Sequence, residues 1–364
     1  MEELNRESKE VIEMASVTRW IAAATVVVAL VGVHVGAASA KAGKEVITLI
    51  ESLEVGEPLY YENLTVIPIY TDEILDHARY TTLDEAMDRG WLEVTEVEGG
   101  RVPQVKVTNR SGEYVFLMGG EILTGCRQDR LLGRDVLLRP RAKNVVVPVY
   151  CVEQGRWTYE SEAFSSRANL GTFRLRAEGQ KAGGDAQSRI WGYVSGLADR
   201  AGVSSPTARY QEVYEAEETR RKISGFRDKM DDIPDLCPDA VGVVIGVGGA
   251  VKSVDIFANP HVLRALWPKL LKSAALAAVC QPAEGALAQA DAVGFLRLVH
   301  DRHYIRKEAV DLGFEVSALD SEANVNALIW RDAVIHVAAF PEGEAYGKRR
   351  IPEDGERRIP VIRR

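Results

Sequence analysis

Two stretches of this chain could do chemistry. GGEILTGCRQDRLLGRDVLL runs from Gly119 to Leu138, and CVEQGRW runs from Cys151 to Trp157. Between Cys126 and Lys143 lie Arg127, Arg130, Arg134, Arg139, Arg141 and Lys143 against only Asp129 and Asp135. That local excess of base sits in a chain whose net charge is −8. If the first stretch is extended, a period of two puts Glu121, Arg127 and Asp129 on one face, and Gln128 and Arg130 on the other. The second stretch puts Cys151 and Glu153 on one face and delivers Gln154, Arg156 and Trp157 just beyond. Guanidinium forks match carboxylate and phosphate, amides add polar contacts, and an indole offers a stacking surface. The expected ligand site is therefore Arg127, Gln128, Arg130, Gln154, Arg156 and Trp157, with an anionic small molecule as ligand. Glu121, Asp129 and Glu153 are the candidate acid–base groups. Carboxylates beside arginines ionise readily, which suits a base better than an acid. The same charges equally suit an internal ion-pair lattice, with Arg127 on Glu153 or Asp129 and Arg156 on Glu121. Both readings stay open at this point.

Other candidate sites carry less. Gly242, Gly246, Gly248 and Gly249 lead into a second strand, whereas a phosphate loop must open a helix. His300 and His303 are spaced to share a helix face, but no third ligand is identifiable and Arg302 opposes a cation. No metal, cofactor or thiol nucleophile is implicated. The mild acidity gives no nucleic-acid signature.

At Gly120-Glu121, Gln128-Asp129-Arg130 and Cys151 to Trp157, the chain resembles the ARG and rhodanese-phosphatase-superfamily-associated protein domain, first type, where ARG stands for ADP-ribosylglycohydrolase. Asp255-Ile256-Phe257 and Leu266-Trp267-Pro268-Lys269-Leu270-Leu271 match it in kind, and the resemblance spans roughly Gly56 to Phe340. It brings no established activity. It implies a setting among proteins that process ADP-ribose or phosphates, and hence a nucleotide- or sugar-phosphate-like ligand.

The surrounding elements read as α+β. Lys41–Leu53 is a short helical lead-in. A strand-rich half follows, with Asn63–Tyr70, Leu92–Val97, Val102–Thr108, Tyr114–Met118, a strand after Gly120 and Val145–Glu153. Gly99-Gly100 and Asn109–Gly112 supply turns. Pro68 points to an edge or an end. Thr82–Arg89 reads as a helix, with Thr82 or Thr81 as cap, Glu85 following and Gly90 closing it. Ser161–Gln187, polar and glycine-rich, reads as a long loop. Central helices come next: Ala186–Ala201, then one from Ser205-Pro206 to about Met230. The last unit is a hairpin about Gly248-Gly249, a helix from Asn259-Pro260 to Val279 kinked or divided by Pro268, a helix Ala288–His300, and closing strands Phe314–Leu319, Ala327–Trp330 and Val334–Phe340.

Residues 56–345 are expected to form one domain, strand-rich over 56–160 and α+β over 186–345. Residues 346–364 are a basic tail, expected to be disordered. Trp20–Val35 is apolar but short for a span of about 20 residues, and Ala38-Ser39-Ala40 suits signal cleavage. Five glutamates precede it, so Met14 is the expected start. The chain is read as exported (periplasmic, extracellular or envelope). The alternative is a membrane anchor at residues 20–40, the one case in which a membrane becomes a partner. Export permits disulfides among Cys126, Cys151, Cys237 and Cys280; free buried thiols suit a chain of this size equally. Three functions stand open: a binding module for an anion, a hydrolase using the motif carboxylates on a nucleotide-derived or phosphorylated substrate, and a structural or interaction protein of the envelope.

Overall fold

A computed structural model describes residues 42–72, 76–97, 103–181, 183–281 and 283–343. The export-type segment, the Gly99-Gly100 turn and the basic tail lie outside the described residues. Helix α1 (Lys44–Glu51) buries Val46, Leu49 and Ile50. Strands β1 (Leu53–Val55), β2 (Leu59–Tyr61) and β3 (Leu64–Thr71) follow. Leu64 through Ile69 are all buried, the mark of a strand covered on both faces. Pro68 is not on an edge strand as expected. β3 pairs with β13 (Gly242–Val247) along one side, and with β2 and then β1 along the other. Pro68 falls in the gap between β2 and β1, where a missing N–H breaks no ladder.

β4 (Thr81–Thr82) runs into α2 (Leu83–Asp88), whose Thr82–Glu85 capping box forms as expected. β5 (Leu92–Glu96), β6 (Gln104–Asn109) and β7 (Val115–Leu117) fall where alternation predicts them. The stretch after Gly119 is not one extended strand. It makes β8 (Glu121–Gly125), β9 (Arg130–Leu132) and β10 (Val136–Leu138) before β11 (Val145–Cys151). Gly125 at φ 115° and Cys126 at φ 46° turn β8 back onto β9, so the expected faces of Glu121, Arg127 and Asp129 do not exist.

Ser161–Gln187 is not a loop either. It holds β12 (Phe164–Leu170) and helix α3 (Phe173–Gln180). Its larger apolar residues Phe164, Leu170, Phe173 and Leu175 are buried, and so are Asn169, Arg176 and Glu178, each with a polar partner. Polar side chains that are buried and satisfied leave no apolar periodicity to read. Helix α4 (Ala186–Ala201) is as expected. The next helix does not begin at Pro206. Ser205 Oγ accepts from the Arg209 N–H in a turn, and α5 (Tyr210–Glu215) and α6 (Glu217–Met230) follow, broken at Ala216. After α7 (Ile233–Leu236), β13 and β14 (Ala250–Phe257) form the expected Gly-Gly hairpin. Helix α8 (Pro260–Cys280), capped by Asn259, runs undivided through Pro268. Helix α9 (Gln289–His300) leads to β15 (Ile305–Glu308), β16 (Phe314–Leu319), β17 (Ala323–Trp330) and β18 (Ala333–Pro341).

The fold is α+β. A nine-stranded sheet has the order β1-β3-β13-β14-β18-β17-β16-β15, with β2 beside β3. One core lies on its α1/α9 face, around Ile67, Ile69, Val244, Phe295 and Val299. A second core lies on the opposite face, where α8 and the central helices pack. A six-stranded sheet (β12-β8-β9-β11-β6-β5) and a three-stranded one (β10-β7-β4) enclose a third with α2. The motif sheet thus stands on the helical side of the large sheet.

Candidate functional site

The β8–β9 turn and the chain after β11 meet as the sequence suggests, but their charges turn inward. Asp129 is fully buried. Its carboxylate accepts from the Gly125 N–H at 3.0 Å and from Arg209 at 2.7 and 3.0 Å, and lies 3.5 Å from Arg156. Glu153, also buried, accepts from Arg156 at 2.8 and 3.0 Å, Thr207 Oγ1 at 3.1 Å and the Asp129 N–H at 3.2 Å. Glu160 closes the ring, 3.2 Å from Arg156 and 3.1 Å from Arg209. Two guanidiniums thus face three carboxylates. Burial pushes the Asp129 carboxyl up although Arg209 opposes it, and the bond to Asp129 raises Arg209 further above its usual range. Both guanidiniums of the ring are engaged by its carboxylates.

The remaining motif residues disperse. Arg130 is buried; it donates to the Gln128 carbonyl at 3.1 Å and to Cys151 Sγ at 3.0 Å, and lies 3.6 Å from Glu96. The Gln128 amide donates to the Gln154 carbonyl, and the Gln154 side chain is exposed. Arg127 pairs with neither Glu153 nor Asp129. It lies 3.7 Å from Glu96, with its guanidinium 4.6 Å from the Tyr159 ring centre and 5.4 Å from that of Trp157. Glu121 is on the far side of the sheet. It takes Lys269 at 2.5 Å and the Met118 N–H at 2.8 Å, while Lys269 also holds Asp84. Burial pushes Glu121 up to about 7 against the pull of Lys269. All four cysteines are free thiols, and burial pushes Cys126 and Cys151 up to about 11, away from nucleophilic use.

A second sealed network links the motif to α3. Asp135 accepts from the Gly119 N–H at 2.7 Å and meets His336 Nδ1 at 2.7 Å. His336 Nε2 is 3.2 Å from Asp255, which also takes both ends of the Arg176 fork. Burial works against charge on His336, yet Asp135 and Asp255 outweigh it and raise the imidazole to about 9. Burial likewise opposes the Asp255 carboxylate, and Arg176 and His336 still hold it well below the ordinary range.

The next turn of α3 looks outward. A cavity of about 600 Å³ opens between α3, α4, β14 and the end of β18. Arg174, Tyr193, Lys252 and Gln281 line it together with Glu178, Lys181 and Glu342. Lys181 bridges Glu178 at 2.8 Å and Glu342 at 2.8 Å. Among the described residues, Arg174 and Lys252 have no carboxylate within ion-pair distance, and the Gln281 amide has no side-chain hydrogen bond. Burial, with Arg174 nearby, lowers the Lys252 ammonium below its ordinary value. Lys252 is half-buried and Arg174 exposed. A half-buried cation without a counter-ion is costly to keep, and these two are the cavity's unpaired cations among the described residues.

Sequence reasoning missed Arg209, which is 80 residues from Asp129 and carries no local signal. It missed Arg174 because α3 read as loop. Among the described residues no cluster of three or more His, Cys, Asp or Glu could hold a metal, and no helix is long and apolar enough to cross a membrane. His300 instead contacts Asp301 and Glu51.

No curated protein and no solved structure matches the chain. A family model, described as the ARG and Rhodanese-Phosphatase-superfamily-associated Protein domain, matches residues 52–340, and by that extent the chain belongs to this family.

Proposed function

We propose that this protein is a binding module for an anionic small molecule of sugar-phosphate or nucleotide kind. It binds in the α3–α4–β14 cavity and not on the motif, whose charges serve as the scaffold that orients α3. The observation that carries this reading is the pair Arg174 and Lys252, both lining the cavity and both without a carboxylate partner among the described residues. The volume falls within the range of small-molecule sites. A hydrolytic role for Glu121, Asp129 or Glu153 lacks such support, since each is buried and engaged by a cation. A thermal-shift titration with sugar phosphates and nucleotides tests the proposal: wild type is stabilised, and Lys252→Met and Arg174→Met are not. Absence of any shift in wild type at millimolar ligand sinks it. Export, read from residues 14–40, is a separate proposal; a mature chain beginning at Lys41 supports it, and one retaining Met1 overturns it.

A further inference from the structure

Resting on that reading, we infer that the cavity selects a hydroxyl-rich phosphate ester, a sugar phosphate, and discriminates against the nucleobase of a nucleotide. Volume does not decide this, because about 600 Å³ has room for either. The lining decides it. A base is normally held by stacking on an open aromatic face. Here the rings are already in use. Arg174 lies over Tyr193 at 5.0 Å and Arg176 over Phe340 at 5.1 Å. Phe340 and Phe173 are otherwise packed into the core, at 2% and 8% exposure. The two buried rings offer no face to a base, and the partly buried Tyr193 ring already carries Arg174 on one face.

Hydrogen-bonding capacity, by contrast, remains. Glu178 and Glu342 share Lys181, and Glu178 also takes Arg189 at 2.6 Å. Each carboxylate has about four acceptor positions, so both keep capacity for hydroxyl donors. Gln281 adds an amide with both donor and acceptor ends and no side-chain partner among the described residues. The lining therefore combines two chemistries: Arg174 and Lys252 offer cations to a phosphate, and Glu178, Glu342 and Gln281 offer acceptors and a donor to hydroxyls. A pentose or hexose phosphate presents those two chemistries on one small molecule. Inorganic phosphate engages only the cations, and a nucleotide adds a flat apolar group for which the one partly exposed ring, Tyr193, already carries Arg174.

Calorimetric titration of the full chain with inorganic phosphate, ribose 5-phosphate and AMP separates the contributions. The step from phosphate to ribose 5-phosphate adds the sugar; the step to AMP adds the base. We expect ribose 5-phosphate to bind about tenfold or more tightly than either of the others, the effect of one or two good hydrogen bonds. Lys252→Met should weaken ribose 5-phosphate and phosphate about equally, whereas Gln281→Leu should erode only the preference between them. AMP binding as tightly as ribose 5-phosphate, or phosphate doing so, overturns the selectivity and leaves the anion site standing. Failure of all three to bind removes the anion site itself.

Discussion

The ring of Asp129, Glu153, Arg156, Arg209 and Glu160 and the cavity of Arg174 and Lys252 are both charged and partly enclosed, yet they are built on opposite rules. In the ring every guanidinium meets a carboxylate within 3.5 Å, and the acids outnumber the bases. In the cavity Arg174 and Lys252 lie in one another's field with no carboxylate within ion-pair distance among the described residues. Charges taken from water must be compensated. Where the chain supplies the compensation, the charges serve the fold; where it withholds it, a ligand can supply it. A basic, tryptophan-bearing motif thus reports charge without reporting whether that charge is already paired.

This comparison can be broken at several points. The largest effect is expected at the sealed network under α3. Asp255→Ala leaves Arg176 and His336 buried with one partner fewer and should cost about 3–5 kcal/mol in urea unfolding. A loss under about 1 kcal/mol would show the network to be dispensable. Asp129→Ala should cost somewhat less, about 2–3 kcal/mol, because the Arg209 and Arg156 side chains keep 16% and 14% exposure and reach some water. Ligand should not rescue it.

The pH dependence is a third test. The folded His336 has its pKa raised to about 9, above the unfolded value of about 6.5. The folded state therefore keeps a proton that the unfolded state has released. The resulting stability is complete below about pH 6.5 and is lost as pH climbs through about 9, on the order of 1–3 kcal/mol in all. His336→Gln should flatten the unfolding free energy across that window. A wild-type profile already flat from pH 6.5 to 9.5 would contradict the assignment.

At the cavity the expected sign reverses. Lys252→Met removes an uncompensated half-buried cation, so the unliganded protein should hold its stability or gain up to about 1 kcal/mol, while affinity for a phosphate ester falls about tenfold. Loss of stability instead would place Lys252 in the scaffold. The smallest effect is expected at Arg127→Ala, where the exposed contacts to Trp157 and Tyr159 should be worth at most about 1 kcal/mol, with ligand affinity unchanged. A change in affinity there would return the site to the motif.

How much was legible follows from which signals are local. The Thr82–Glu85 cap, the Gly248-Gly249 hairpin, the Asn259 cap and a strand over Asn63–Tyr70 were readable, because each depends on neighbours within a few residues. The family was readable for the same reason: its motif is contiguous. The break of Gly119–Leu138 into three strands was not, since Cys126 adopts positive φ only because Arg156, Ser161 and Glu160 bond its backbone from the next loop. Of the six expected ligand residues, Arg156 entered the ring, Arg130 and Gln128 were buried beside it, and Arg127, Gln154 and Trp157 stayed outside. Spacing put them in one neighbourhood but could not orient them.

By itself, then, the sequence determined the family, the α+β class and the proximity of the two motif stretches, all of which rest on short-range pattern. Only the tertiary structure decided which charges are neutralised. Asp129 finds Arg209, Glu121 finds Lys269 and Asp255 finds Arg176 across 80, 148 and 79 residues, while Arg174 and Lys252 find no acid among the described residues. Coulombic compensation depends on distance in space, and separation along the chain does not report it.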